Sequence, residues 1–160
     1  MKYVHHKKHK LVVLLFFVFS ASFSFGQVIK ETTVDTSFLQ KIMVENQLDV
    51  IEKGKDYLLV MDEILYYLDL DPQQQYIRIS STFSLKEGAS LQEVEALSNA
   101  LNKQIPLLRN YYSERLETIS FEYYFWIKGG FTKEAFWASI LYYKDALSEV
   151  TVYDKLNLIR

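Results

Sequence analysis

No cysteine occurs in the 160-residue sequence, and its three histidines, His5, His6 and His9, all fall within the first ten residues. From residue 10 onward the chain has neither thiol nor imidazole. Ser-His-Asp and Cys-His nucleophilic constellations are thereby excluded, as are zinc sites built on imidazole or thiolate. Without disulfides, a small domain in an oxidising compartment must rest on its core alone. Glycine and proline are also scarce. The four glycines after residue 26 are Gly54, Gly88, Gly129 and Gly130. None falls in a GxGxxG or GxxxxGKS/T pattern, which removes the phosphate-cradling loops of nucleotide-binding proteins.

The chemistry left over belongs to carboxylates, Lys, Ser and Tyr. Asp69 and Asp71 in "DLDP" are spaced to hold a hard cation, but a calcium loop needs more oxygens and usually a glycine at its sharp turn. With Pro72 and Gln73 to Gln75 they read as a turn. Glu117 and Glu122 could serve acid–base chemistry, but glutamates on strands are usually solvated. No enzyme, no cofactor and no metal site is expected.

What is present begins with a leader. MKYVHHKKHK carries four lysines and no acid, an unbroken apolar run follows from Leu11 to Phe19, and SASFSFG closes the segment. A basic segment, a short apolar segment and small residues before a cut site make a secretory signal peptide over residues 1–26, cleaved before Gln27. The apolar run is too short to favour a membrane span, and with no cysteine after it a lipoprotein anchor is excluded. The exported chain, expected in the periplasm with secretion or envelope association as alternatives, would run from Gln27 to Arg160; the lesser reading of the leader is a retained N-terminal anchor. That length suits one domain around one core. Fourteen of the 18 Lys and Arg remain against all 20 acids, a net charge of −6. An acidic chain with no basic block argues against nucleic acid and against an anionic membrane surface as partners. The sequence is 49% hydrophobic and 16% aromatic, so a core of Phe, Tyr, Leu and Ile is available.

Periodicity supplies the elements. Residues 27–34 read as a mobile lead-in and residues 35–160 as a single domain. Asp35 to Ser37 offer caps for a helix over 36–47 with Phe38, Leu39, Ile42 and Met43 on one stripe. "EKGKD", around Gly54, reads as a turn. Strands follow at Tyr57 to Met61, Ile64 to Leu70 and Tyr76 to Phe83, the last two forming a hairpin across DPQQQ. Ser90 and Glu93 have capping-box spacing and open a helix with Leu91, Val94, Leu97 and Leu101 buried, which Pro106 closes. Strands over 107–112 and 116–127 flank a turn at "SER". In the longer one, Ile119, Phe121, Tyr123, Phe125 and Ile127 alternate with Thr118, Ser120, Glu122, Tyr124 and Trp126. Gly129 and Gly130 permit a tight exit. Thr132 caps a last helix, Phe131 and Phe136 have hydrophobic-staple spacing, and Phe136, Ile140, Tyr143 and Leu147 form its stripe, widened by Trp137 and Leu141. That stripe reads as a lid on a core, with an aromatic ligand stripe as the lesser reading. The order is α-β-β-β-α-β-β-α, an α+β domain with helices packed on one face of an antiparallel sheet.

The hairpin "ILYYLDLDPQQQYIRISSTF", the helix piece "LSNALNKQI" and the closing "GGFTKEAFWASILYYKDAL" together resemble the YbjN domain family, from about Asp35 to Val150. Asn99, Asn102 and the segment from Gly129 to Trp137 are the most specific points of likeness. Members are described as sensory-transduction regulators. The resemblance implies a type III secretion chaperone-like fold, a homodimer and the binding of an extended polypeptide.

Two functions follow as expectations. One is a non-enzymatic interaction domain, chaperone-like or regulatory, whose partner binds the sheet face left free of helices. Tyr76, Arg78, Tyr124 and Trp126 are the candidate residues of that face, since aromatics with an Arg on a rigid sheet suit a hot spot. The same residues could instead pack under the second helix or at a dimer contact. The other function is a small-ligand or lipid binder with an aromatic-lined pocket.

Overall fold

The computed structural model describes residues 27–160. The expected signal peptide, residues 1–26, lies outside them. Three helices and six strands follow one another: α1 (Thr36–Glu45), β1 (Asp49–Lys53), β2 (Tyr57–Met61), β3 (Leu65–Leu70), β4 (Tyr76–Ser84), α2 (Leu91–Gln104), β5 (Arg109–Ser113), β6 (Thr118–Trp126) and α3 (Lys133–Tyr153). The strands form one antiparallel sheet in the order β1-β2-β3-β4-β6-β5. The α+β architecture agrees with expectation, with one strand more. β1 was unread because its register shifts between Val50 and Glu52, leaving Ile51 as an exposed bulge. A bulge breaks the period of two by which strands are recognised.

Local chemistry fixes each helix start. Asp35 accepts from the Phe38 N–H at 2.7 Å, Ser90 and Glu93 form a complete capping box, and Thr132 accepts from the Ala135 N–H at 3.2 Å. Each satisfies a donor that the first helical turn leaves free. The Phe131 and Phe136 rings meet at 6.1 Å, so the staple forms. Leu91 and Leu141, expected on buried stripes, are exposed.

One sheet face carries the core. Leu58, Val60, Tyr66, Leu68, Ile77, Ile79 and Phe121 on it are fully buried. Contacts from all three helices reach this face: Met43 of α1 at the Tyr66 hydroxyl, Ser98 of α2 on Asn110 at 2.6 Å, and from α3 the Phe136 ring against Phe125 and the Tyr143 hydroxyl donating to the Phe121 carbonyl at 3.2 Å.

Both ends of α3 are tied down. Gly129 and Gly130 have φ of +93° and +95°, the left-handed region that glycine enters without a Cβ clash. Beyond them Phe131 exchanges both backbone hydrogen bonds with Ile29, at 2.7 and 3.0 Å. The lead-in, expected to be mobile, is therefore docked: Ile29 is bridged and Val34 is buried. At the far end Asp154 accepts from the N–H groups of Leu158 and Ile159 at 2.8 and 2.9 Å, and Ile159 bridges to Leu85.

The two sheet edges are each occupied from a helix. On β1, Lys53 reaches Ser37 at 2.8 Å and Gln40 at 3.1 Å. On β5, the Asn110 N–H donates to the Asn102 side chain at 3.1 Å.

Candidate interaction face

The second sheet face is defined by the same registers. Pairing aligns Tyr57, Asp69, Arg78 and Tyr124 in one row across β2, β3, β4 and β6. The next row holds Glu52, Leu59, Tyr67, Ser80, Glu122 and Arg109. Tyr76 lies directly opposite Trp126. The four residues singled out from sequence are thus two adjacent cross-strand pairs, and the structure brings all four together. None of them lies under α2, whose sheet contacts are on the other face.

Packing within the patch is specific. Tyr76 meets Tyr124 edge-on at 5.1 Å and stacks on Trp126 at 6.2 Å and 28°. Such pairs contribute about 0.5–1.5 kcal/mol beyond the area they bury. Trp126 is nevertheless 57% exposed, and Tyr124 and Tyr67 are exposed as well.

Two residues that sequence reasoning assigned to a turn and to solvent, Asp69 and Glu122, hold the patch in place. Arg78 donates to Asp69 from Nε at 3.2 Å and Nη2 at 3.1 Å, and from Nη1 to Glu122 at 3.0 Å. Tyr124 donates its phenol to the other oxygen of Glu122 at 2.7 Å. Glu122, expected to be solvated, is only 4% exposed. It is held there by a guanidinium and a phenol, which replace its water. Burial alone would depress the Arg78 guanidinium, but the Asp69 and Glu122 carboxylates outweigh it and hold it above its ordinary value. Burial, then the hydrogen bond to Glu122, pushes the Tyr124 phenol up. The signal for Glu122 was present, because it shares a strand face with Tyr124 and Trp126. What was missing was the β4–β6 register that sets it against Arg78.

A second aromatic cluster occupies the β2–β3 side. The Tyr57 and Tyr67 rings lie 5.9 Å apart, and Tyr57 donates its phenol to Glu52.

The other chemical candidates disperse. Asp71 accepts from the Gln75 N–H at 3.1 Å and caps the β3–β4 turn. Glu117 is exposed at a left-handed position before β6. Among the described residues no group of three His, Cys, Asp or Glu is placed to hold a metal ion, and no helix is long and apolar enough to cross a membrane. An open groove of about 410 Å³ runs between α2 and the end of α3, lined by Ala96, Leu97, Ala100, Leu156 and Leu158, with Tyr153 as its aromatic residue. A smaller opening of about 160 Å³ is bordered by Phe83 and Phe121.

Among the described residues, three α-helices on one face of a six-stranded antiparallel sheet, with a charged and aromatic second face, define the class of this α+β fold. That class has a solved representative. The chain superposes on the crystal structure of YbjN from E. coli, described as a candidate transcription regulator, with a TM-score of 0.67 over 78% of this chain and 94% of that chain. Identity is 14%, so the likeness is one of fold. No family model matches the chain, and no curated protein sequence matches it.

Proposed function

We propose that the protein is an exported, non-enzymatic binding module that engages another polypeptide through the helix-free face of its sheet. The observation that carries this reading is the joined patch of Tyr76, Arg78, Tyr124 and Trp126. Its rings are fixed by cross-strand packing and by the Asp69–Arg78–Glu122 network, yet Tyr124 and Trp126 stay exposed to solvent and Tyr76 is half-buried. Rigid aromatic residues beside an Arg lose little conformational entropy on binding, which is the composition of interface hot spots. The YbjN-like fold is compatible with a regulatory or chaperone-like role. Export rests on the leader, and the mass of the exported protein tests it: cleavage between Gly26 and Gln27 is expected, and a mass retaining residues 1–26 would contradict it.

The alternative, a small-ligand or lipid pocket lined by aromatics, has less support. The interior aromatics pack on one another, with Phe131, Phe125 and Phe136 in mutual ring contact, and the larger opening is an aliphatic surface groove.

Photo-crosslinking separates the readings. A photoreactive residue in place of Trp126 should give adducts with a polypeptide in the producing cell. The same residue in place of Leu141, exposed on α3, should not. Adducts of equal yield at both positions, or none at Trp126, would overturn the face as the binding surface.

A further inference from the structure

We propose that the helix-free face carries two subsites for cationic side chains, and that its partner is an extended polypeptide segment bearing Lys or Arg four residues apart. This rests on the protein-binding reading above and names the partner chemistry.

Three observations support it. The first is charge. The registers put Asp49, Glu52, Asp69 and Glu122 on this face against Arg78 and Arg109, a net charge of −2. Arg78 is already engaged by Asp69 and Glu122. The unmatched charge is that of Asp49 and Glu52 at the β1 edge, Asp69 and Glu122 being balanced by Arg78 and Arg109, and a basic segment is complementary to it.

The second is that each aromatic cluster is built in the same way. In one, Tyr57 packs on Tyr67 and donates its phenol to Glu52. In the other, Tyr124 packs on Tyr76, which stacks on Trp126, and donates its phenol to Glu122. A phenol that donates to a carboxylate has a more electron-rich ring. Such a ring attracts a cation over its face more strongly, and Trp offers the best such face. The carboxylates serve the rings as much as they serve a ligand directly, since Glu122 is itself buried.

The third is spacing. Tyr57 and Tyr124 stand in one row, three strand intervals apart with Asp69 and Arg78 between them. At ~4.8 Å per interval that is about 14 Å. An extended chain advances ~3.4 Å per residue and presents residues i and i+4 on the same side, also about 14 Å apart. A segment laid across the strands therefore reaches both clusters with side chains at i and i+4.

The test uses Trp126 as reporter. The protein has two tryptophans, and Trp137→Phe leaves Trp126 alone. The probe is a capped seven-residue threonine–serine peptide with arginines at its second and sixth positions. It should quench Trp126 saturably. Binding should weaken tenfold or more in Tyr57→Ala, fivefold or more when the two arginines are made adjacent, and further as salt rises from 50 to 300 mM. Calorimetry on the protein with both tryptophans gives the same measurement should Trp137→Phe not fold. Equal binding of the same peptide with glutamates, or no saturation by the arginine peptide, would overturn the cationic subsites. So would a dimer in light scattering that Trp126→Ala dissolves, since a second copy would then own the face. Crosslinking at Trp126 combined with failure of the arginine peptide would sink this inference and leave the binding face standing.

Discussion

Arg78→Met should destabilise the protein through the carboxylate it abandons. Glu122 has a side chain 5% exposed, whereas that of Arg78 is 38% exposed. Breaking a fully buried pair costs about 3–5 kcal/mol, and breaking an exposed one costs about 0–1 kcal/mol. This pair is dry at one end and wet at the other. Tyr124 still donates to Glu122 in the variant, so Glu122 loses one of its two charge-assisted hydrogen bonds, while the two that Asp69 loses are largely replaced by water at its more exposed carboxylate. The expected loss is about 1.5–3 kcal/mol, the range for a hydrogen bond to a charged group. Methionine keeps much of the aliphatic stem, so lost packing contributes little. Urea unfolding at neutral pH measures the loss as a lower midpoint at unchanged slope. The decisive comparison is the double variant Arg78→Met with Glu122→Gln. Glutamine removes the buried charge, so the double variant should lose at least about 1 kcal/mol less than the two singles added together. Strict additivity, or an Arg78→Met loss under about 0.5 kcal/mol, as at an ordinary surface site, would refute the account of Glu122 as a buried charge held by Arg78.

Phe136→Ala should cost about 3–5 kcal/mol, because a fully buried ring leaves a cavity among Phe125 and Phe131. Trp126→Ala, on the exposed end of β6, should shift the thermal midpoint little by comparison, and equal losses for the two would make the aromatic patch a second core. Gly130→Val should lower stability by at least about 1–3 kcal/mol in urea: a Cβ there meets Val28 at 2.8 Å and the Ile29 carbonyl at 3.1 Å, at a φ of +95°. Gly129→Ala, at similar φ but in open space, should cost less, and the reverse ranking would contradict the docking of the lead-in. Burial holds the phenols of Tyr66 and Tyr143 well above their ordinary value near 10. The unfolded chain then loses these protons first, so stability is retained below pH ~10 and falls above it by about 1.4 kcal/mol per pH unit for each tyrosine. Tyr143→Phe should make that alkaline decline shallower, and an unchanged slope between pH 10 and 11 would count against it.

The elements legible in the sequence were those whose start, period and stop agreed. The helix from Leu91 is announced by Ser90 and Glu93, the helix from Lys133 by Thr132 and its staple, and β6 by the alternation of Thr118, Ser120 and Glu122 with Ile119, Phe121 and Tyr123. β1 was illegible because Ile51 interrupts its alternation. The docked lead-in was illegible because its partner, Phe131, lies about a hundred residues away, and no local pattern encodes a contact of that range. The candidate face was half legible. Alternation put Tyr124 and Trp126 opposite the core, and Tyr76 and Arg78 likewise. Which of them touch depends on how β4 is set against β6, and a slip of two residues would keep every face assignment while replacing every pair. The network through Asp69 and Glu122, and the second cluster at Tyr57 and Tyr67, required that register.

The two guarded edges have a consequence for assembly. A sheet grows by adding strands at its margins, and open margins let identical subunits chain together without limit. Here one margin is short and bulged, with Lys53 drawn towards α1, and the other has its Asn110 N–H taken by Asn102. Recruitment of further strands is discouraged on both sides, so edge-to-edge growth into an open-ended array is disfavoured. Complexes of this protein should therefore have a fixed stoichiometry that does not climb with concentration.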